Sequence, residues 1–162
     1  MTLFAAGERR DRTPSGMQLS LHSDYALRVL MRLALEPERL VTIEEVAAGY
    51  GISKAHLTKV VHGLAQRGCV ETVRGRKGGL RLAQPASRLR IGQIVADAER
   101  SMALVECFDP DTDTCPVTPA CRLQGVLREA LGEFLSALDR YTVADLIDRR
   151  APALARLLRV NG

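Results

Sequence analysis

The segment that decides the fold runs from residue 42 to residue 82 and has the sequence TIEEVAAGYGISKAHLTKVVHGLAQRGCVETVRGRKGGLRL. Thr42 is followed three residues later by Glu45, a spacing typical of the capping box that starts a helix. Gly49 and Gly51 are expected to end this helix, because glycine disfavours helix interiors and readily adopts the turn that follows them. The segment therefore begins with a short helix and a tight turn.

A second helix of this segment is expected to begin after Ser53, whose hydroxyl can cap it. Its apolar residues recur at three- and four-residue spacing and are expected to face the core; they are Leu57, Val60, Val61 and Leu64. Gly68 is placed to stop the helix. The short apolar runs Val70–Val73 and Leu80–Leu82 then flank a basic, glycine-rich turn, residues 74–79, and this pattern predicts a β-hairpin.

An amphipathic helix from about Ser20 to Leu35 precedes this segment. We therefore predict a mainly α fold, a winged helix-turn-helix with a small β-hairpin wing. After it, a short helix is expected at Ile91–Glu99 and a long helix from Thr118, with Pro119 in its first position. The apolar stripe of the long helix is wider than one small domain needs, so we predict that it is a dimerisation helix. The stripe consists of Leu123, Val126, Leu127, Ala130, Leu131, Phe134, Leu135 and Leu138.

The predicted elements define the domain organisation. Residues 1–16 are expected to be a flexible leader, and residues 17–90 to form the winged helix-turn-helix. Residues 91–121 contain the short helix and a cysteine-containing loop. Residues 118–162 contain the dimerisation helix and a last helix, Thr142–Leu158, which is expected to fold back over it.

Composition excludes several classes of protein. The chain has 162 residues and is 46% hydrophobic, which is enough for a packed core. No apolar run approaches the ~18 residues of a membrane span, and the N-terminus lacks the apolar core and cleavage site of a secretory signal. We therefore expect a cytoplasmic protein that contacts no membrane. No Ser/His/Asp arrangement, paired-carboxylate pocket or phosphate-binding loop is evident, which argues against an enzyme.

Positive charge is concentrated in residues 53–82, which contain seven basic residues and one acidic residue, Glu71. A recognition helix presents its N-terminal residues to the major groove of DNA, and a basic wing can bind phosphates or the minor groove. We therefore predict a contact surface for double-stranded DNA. Its residues are Ser53, Lys54, His56, Thr58 and Lys59 on the helix and Arg74, Arg76, Lys77 and Gly78 on the wing. The alternative is a winged helix that serves only as a protein-interaction module.

Three of the four cysteines, Cys107, Cys115 and Cys121, have the close spacing C-x7-C-x5-C. With Thr118 as the cap of the long helix, Cys121 would lie near the positive end of the helix dipole, which stabilises a thiolate. From the residues alone, a zinc site, an iron–sulfur cluster and a disulfide redox switch all remain open, although no histidine lies nearby as a fourth zinc ligand. Cys69 stands apart and is expected to pack in the core.

Three motifs carry a resemblance: LHSDYALR at residues 21–28, RGRKGG at 74–79 and CPVTPACRL at 115–123. Together they resemble the winged-helix iron–sulfur transcription regulators, over residues 17 to about 158. The resemblance implies a homodimeric repressor of a palindromic operator, with an iron–sulfur cluster, 4Fe-4S preferred over 2Fe-2S, held by Cys107, Cys115 and Cys121. The cysteine region is most similar to that of nitric-oxide-responsive members, which release the operator when the cluster is nitrosylated or lost.

The resemblance offers two patterns for a fourth cluster ligand. Some members use a histidine three residues after the last cysteine, but this chain has Gln124 there. Others use an aspartate at the start of the first helix, contributed by the partner subunit, and Asp24 matches that position. We therefore expect Asp24 to be the fourth ligand, the alternative being that it only complements the helix dipole. A regulator of the same fold that senses thiol oxidation or iron–sulfur status is the remaining alternative.

Overall fold

The computed structural model describes residues 18–160 of the chain. The expected leader, residues 1–16, lies outside the described residues. The described part consists mainly of helices, together with one two-stranded antiparallel sheet. This architecture confirms the predicted mainly α, winged helix-turn-helix fold.

Three helices form the helix-turn-helix unit: α1 (Leu21–Ala34), α2 (Ile43–Tyr50) and α3 (Lys54–Gln66). Each begins at a residue whose hydroxyl accepts a hydrogen bond from a main-chain N–H group, namely Ser20, Thr42 and Ser53. Thr42 and Glu45 form the complete predicted capping box. Gly51 ends α2 in the left-handed region at φ 66°, whereas Gly49 lies within the helix. Short-range capping signals thus set the starts of all three helices.

The wing is the hairpin of β1 (Val70–Val73) and β2 (Gly79–Leu82), in which Val70 pairs with Leu82 and Val73 with Gly79. It is attached to the helical unit by a β-bridge between Val41 and Leu80, with N···O distances of 2.8 and 2.9 Å. Because Val41 immediately precedes the cap of α2, the wing and the helix-turn-helix are held in one rigid arrangement.

The hydrophobic core lies around α1. The side chains of Val29, Leu30 and Leu33 are buried against those of Leu57 and Val60 from α3. The remaining buried apolar residues come from α2, the wing and the helices that follow it; they include Val41, Val46, Leu64, Val70, Leu80, Leu89, Ile94, Val95 and Val143. Cys69 belongs to this core, as expected. Burial of this apolar surface is the main contribution to the stability of the folded unit.

Two further helices, α4 (Ile91–Ala98) and α5 (Arg122–Asp139), cross at close range. A Cβ atom built on Gly92 of α4 would lie 2.5 Å from the main-chain oxygen of Leu135, so only glycine fits this crossing. The Asp139 carboxylate of α5 accepts a hydrogen bond of 2.9 Å from the main-chain N–H of Gln93. The C-terminal half of α5 is thereby fixed to the core.

The start of the long helix differs from the prediction. Thr118 is not its cap: Thr118–Ala120 form a separate 3-10 turn, and Cys121 occupies the cap position of α5 with extended main-chain angles. A proline in the first turn suits a 3-10 helix as well as an α-helix, so Pro119 did not distinguish the two. The correction places the third cysteine of the cluster motif at the N-terminal end of α5.

The predicted last helix, Thr142–Leu158, is also wrong as a single element. The chain forms α6 (Val143–Ile147) and α7 (Ala151–Leu157), separated by a break at Asp148. Instead of folding over α5, α6 packs against α1, and Leu158 lies over α2, with its main-chain oxygen 3.4 Å from the position of a Cβ on Gly49. Pro152 in the first turn of α7 is the sequence signal for this break.

Candidate nucleic-acid interface and cysteine loop

The outward face of α3 carries the residues predicted to contact DNA. Burial of the apolar side of α3 leaves the other side in solvent, and the exposed residues include Ser53, Lys54, His56, Thr58, Lys59 and His62. The Ser53 hydroxyl accepts a hydrogen bond from the main-chain N–H of His56 at 3.3 Å. The N-terminal turn of α3, where a recognition helix meets base edges, is therefore both capped and accessible.

Two side chains on this face are engaged within the protein. The Lys54 ammonium pairs with the Glu44 carboxylate of α2, and the hydrogen bond from Lys54 lowers the pKa of Glu44. The Thr58 hydroxyl donates to the main-chain oxygen of Lys54 at 2.9 Å, which leaves its oxygen free to accept from a donor on a base edge. The Glu44 carboxylate would compete with a DNA phosphate for Lys54.

The wing presents its basic residues at an exposed tip. Arg74, Arg76 and Lys77 are exposed, and Gly75 adopts φ 112°, a conformation that side chains rarely allow. A Cβ on Gly78 would collide with the main-chain oxygen of Val73. Gly78 is therefore required by the packing of the turn itself, a role separate from its predicted DNA contact.

An open groove separates α3 from the wing. Both elements contribute side chains to its lining, among them Thr58 and His62 of α3 and Thr72 and Arg76 of the wing. The groove faces the same side as the exposed N-terminal turn of α3, because Lys54 also lines it. Of the nine predicted contact residues, four line this groove, namely Lys54, Thr58, Arg76 and Gly78; the other five, Ser53, His56, Lys59, Arg74 and Lys77, lie outside its lining.

Not all the basic residues of this segment are available to DNA. The Arg67 guanidinium donates to the main-chain oxygens of Gly63 and Asp97, and Arg81 pairs with Glu71 at 2.8 Å. Four basic side chains of residues 53–82 form no ion pair within the described part of the chain and bind no main-chain oxygen there. They are Lys59, Arg74, Arg76 and Lys77. Sequence analysis could not separate the bound basic side chains from the available ones, because the contacts of Arg67 with Asp97 and of Arg81 with Glu71 form only in the folded chain.

A group of side chains behind α3 was missed by the sequence analysis. The Arg28 guanidinium lies 5.9 Å from the ring centroid of Tyr25 and 5.8 Å from that of Tyr50. The Tyr25 ring is in turn 6.3 Å from the ring of His56 on α3. Burial raises the pKa of Tyr50. These contacts support the N-terminal half of α3 from the side of α1.

Asp24, the expected fourth ligand, lies in the first turn of α1. Its two carboxylate oxygens pair with two nitrogens of the Arg28 guanidinium, at 3.0 Å to Nε and 2.7 Å to Nη2, and about two-fifths of its side chain is exposed. The two residues are four apart on one helix face, so this pair forms locally. Asp24 is therefore accessible to a second protein chain.

The cysteine loop, residues 105–121, contains the three candidate cluster ligands as free, partly exposed thiols. The main-chain N–H of Cys115 and the hydroxyl of Thr118 both donate to the Asp113 carboxylate at 3.0 Å. The Gln124 amide of α5 donates to the main-chain oxygen of Cys107 at 2.5 Å. The bond from Gln124 joins the loop to the N-terminal part of α5.

Within residues 18–160 of a single chain, no group of three or more His, Cys, Asp and Glu side chains is assembled as a metal site. The chemistry of Cys107, Cys115 and Cys121 nevertheless fits an iron–sulfur cluster, because thiolates are the preferred ligands of such a cluster and these thiols are unpaired.

None of the helices in the described part is long and apolar enough to cross a membrane.

The accessible N-terminal turn of α3, the basic wing and the groove between them define a winged-helix, DNA-binding transcription regulator. Residues 19–149 match the Rrf2 family model, which is described as an iron-dependent transcriptional regulator. The chain belongs to the Rrf2 family. It is therefore a transcription regulator and not an enzyme, as its sequence predicted.

Relatives named NsrR are similar over most of their length. The chain is 49% identical over 132 residues to the HTH-type transcriptional regulator NsrR of Shouchella clausii (strain KSM-K16), covering 81% of this chain and 89% of that protein. It is 45% identical over 146 residues to NsrR of Bacillus subtilis (strain 168), covering 90% and 99%. These similarities confirm the resemblance seen in the three sequence motifs.

Solved structures show the same fold. IscR of T. potens matches with a TM-score of 0.68 at 23% identity, over 85% of this chain and 91% of that one. CymR, the global cysteine regulator of B. subtilis, matches with a TM-score of 0.61 at 25% identity, over 81% and 96%.

Proposed function

We propose that the chain is a homodimeric repressor that senses nitric oxide through an iron–sulfur cluster. The cluster, 4Fe-4S in preference to 2Fe-2S, is held by Cys107, Cys115 and Cys121. The observation that carries this proposal is a set of three unpaired, partly exposed thiols in the loop that ends at the start of α5, in a chain 44–49% identical to regulators named NsrR. When bound, the cluster supplies iron that can react with nitric oxide.

The proposed cluster has four protein ligands, and it links the two subunits. The thiolates bind the cluster, and Asp24 of the partner subunit completes its coordination, for which it must leave Arg28. Accessibility of Asp24 at the start of α1 supports this role. A cluster shared between subunits would fix the separation of the two α3 helices, which must enter major grooves about one DNA turn apart. Loss of the cluster would then release a palindromic operator in the cytoplasm.

The proposed contact surface for double-stranded DNA combines two sets of residues. On the helix they are Ser53, Lys54, His56, Thr58 and Lys59, and on the wing they are Arg74, Arg76, Lys77 and Gly78. Their exposure and the groove between them support this assignment. The charged groups would provide affinity through phosphates, while the polar groups of α3 would contact base edges.

The test is operator binding by protein purified without oxygen. A palindromic operator is first selected from random DNA, and its affinity is measured by fluorescence anisotropy before and after removal of iron and after addition of nitric oxide. We expect tight binding only by the iron-containing protein, and its loss with nitric oxide. Cys115→Ala should abolish iron retention and operator binding while the dimer stays folded, and Asp24→Ala should speed cluster loss.

The matched control is Cys69→Ala, because Cys69 is the cysteine that lies in the core. This variant should retain the iron, the operator binding and the nitric oxide response. Equal operator affinity with and without metal would overturn the proposal. A response to thiol oxidants in metal-free protein would instead favour the thiol-redox alternative.

A further inference from the structure

Two side chains of α5 reach back to the segment that contains Cys107. The Gln124 side-chain amide donates to the main-chain oxygen of Cys107. One helical turn later, the Arg128 guanidinium lies 4.6 Å from the ring centroid of Phe108. Residues four apart lie on the same side of a helix, so one face of α5 contacts both Cys107 and Phe108, which are neighbours in the loop.

These contacts fix the main chain around Cys107. Residues 106–108 form a 3-10 turn, in which the N–H of Phe108 donates to the main-chain oxygen of Val105 at 3.1 Å. The amide contact holds the middle residue of this turn, and the cation–π contact holds the aromatic ring of its last residue. The turn thus has two anchors that come from a helix elsewhere in the sequence.

The same helix also fixes the position of Cys121. This residue is the N-terminal cap position of α5 and lies three residues before Gln124. The rigid first turns of α5 therefore set where Cys107 lies relative to Cys121. Cys115 differs, because its main-chain N–H is bound by Asp113 within the loop itself.

We propose that Gln124 and Arg128 are positioning residues that hold Cys107 in place relative to Cys121 before any metal binds. This inference rests on the proposed function, since it concerns the same three thiols. The energetic reason is that a ligand segment ordered in advance loses less conformational entropy when its metal binds. Gln124 acts here through the main chain of Cys107 and not as a ligand.

Hydrogen exchange of the metal-free dimer tests the anchoring directly. Gln124→Met keeps the length of the side chain but removes its donor. Exchange of the amides at residues 106–109 should become about fivefold faster, the factor expected when one intramolecular hydrogen bond is lost. Exchange around Cys115 should not change. Arg128→Met is a second variant with the same expected result, and circular dichroism checks that both are folded.

Binding of Co²⁺ to the metal-free protein tests whether the anchoring matters for the thiols, because thiolate ligation of Co²⁺ gives a distinct absorbance. Both variants should bind Co²⁺ several-fold more weakly than the unmodified chain. Ser136→Met is the matched control, since Ser136 lies on a different side of α5 from the loop contacts. It should change neither exchange nor Co²⁺ affinity.

The outcomes separate this inference from the proposed function. Unchanged exchange at residues 106–109 in both variants would overturn the anchoring. Faster exchange with unchanged Co²⁺ affinity would show that the anchors do not position the thiols, and would overturn the inference as well. Failure of the unmodified protein to retain an iron–sulfur cluster would instead overturn the proposed function, while the exchange result would still stand.

Discussion

Arg32 of α1 is almost completely buried, with 2% of its side chain exposed, and it pairs with Glu36 at the C-terminal end of the same helix. Glu36 also binds Arg39 at 2.6 Å, and Arg39 binds Glu45 of α2 at 2.7 Å. Burial lowers the pKa of Arg32. A buried cation is tolerated only with compensating partners, so this chain of ion pairs connects the end of α1 to the capping box of α2.

Glu45 makes folding stability depend on pH. The hydrogen bond from Arg39 is the main cause that lowers the pKa of Glu45 from 4.5 to about 2. A carboxylate with a lowered pKa stabilises the folded state fully above its unfolded pKa, and this contribution is lost as the pH falls from about 4.5 to about 2. Glu45→Gln should therefore cost about 0.5–1 kcal/mol at pH 7, the amount typical of a partly exposed ion pair.

Urea unfolding between pH 7 and pH 3 measures this effect. The difference between the unmodified chain and Glu45→Gln should shrink as the pH falls through that window. Glu38→Gln is the control, because Glu38 is exposed and outside the ion-pair chain. A difference that stays constant with pH would show that the charge of Glu45 does not contribute.

At the scale of the elements, α5 has an apolar face that residues 18–160 of the single chain leave uncovered. Leu123 is 62% exposed, Val126 50% and Phe134 36%. On a helix these side chains share one side with Ala130 and Leu127. Isolated apolar residues are common at protein surfaces, but a continuous stripe of this length is typical of a subunit interface.

Val126→Glu should therefore convert the proposed dimer into a monomer, because it places a charge in the middle of the apolar stripe. Sedimentation equilibrium measures the change, and operator affinity should fall with it. Ser136→Glu carries the same charge at an exposed position of α5 outside the apolar stripe and should remain dimeric. If Val126→Glu sediments as a dimer, the interface is formed by other residues.

The elements that could be predicted from the sequence are those with local signals. Thr42, Glu45 and Ser53 lie within a few residues of the groups they cap, so their patterns located α2 and α3. The break at Asp148 was missed because the apolar periodicity continues across it. The 3-10 turn before Cys121 was missed because a proline in the first turn fits either kind of helix.

The candidate site could be predicted only in part, for a related reason. Basic and cysteine residues are visible in the sequence, whereas their partners are set by the fold. Arg67 binds the main chain of Asp97, and Cys107 is bound by Gln124, in each case across many residues. Which positive charges remain available to DNA therefore depends on the three-dimensional structure.

At the scale of the whole molecule, the charges that remain available should determine the salt dependence of operator binding. Arg76 has no ion-pair partner among the described residues, whereas Arg81 is paired with Glu71. Each phosphate contact contributes about 0.9 to the slope of log affinity against log salt concentration. Arg76→Ala should therefore reduce the slope by about 2 for a dimer, and weaken binding to all DNA sequences.

Arg81→Ala is the matched control, since it removes the same charge from the same hairpin. Its effect on the slope should be clearly smaller. Anisotropy titrations at several salt concentrations measure both variants. Equal slopes for Arg76→Ala and the unmodified chain would remove this wing residue from the interface.

The packing of Leu158 over Gly49 has a consequence for biosynthesis. One side of α2 stays uncovered until residue 158 has been made, long after α2 itself has left the ribosome. The DNA-binding unit is therefore not fully packed on a nascent chain, even though most of its own residues are already present. Completion of this unit therefore waits for the segment that contains Leu158, which would limit DNA binding by shorter nascent chains.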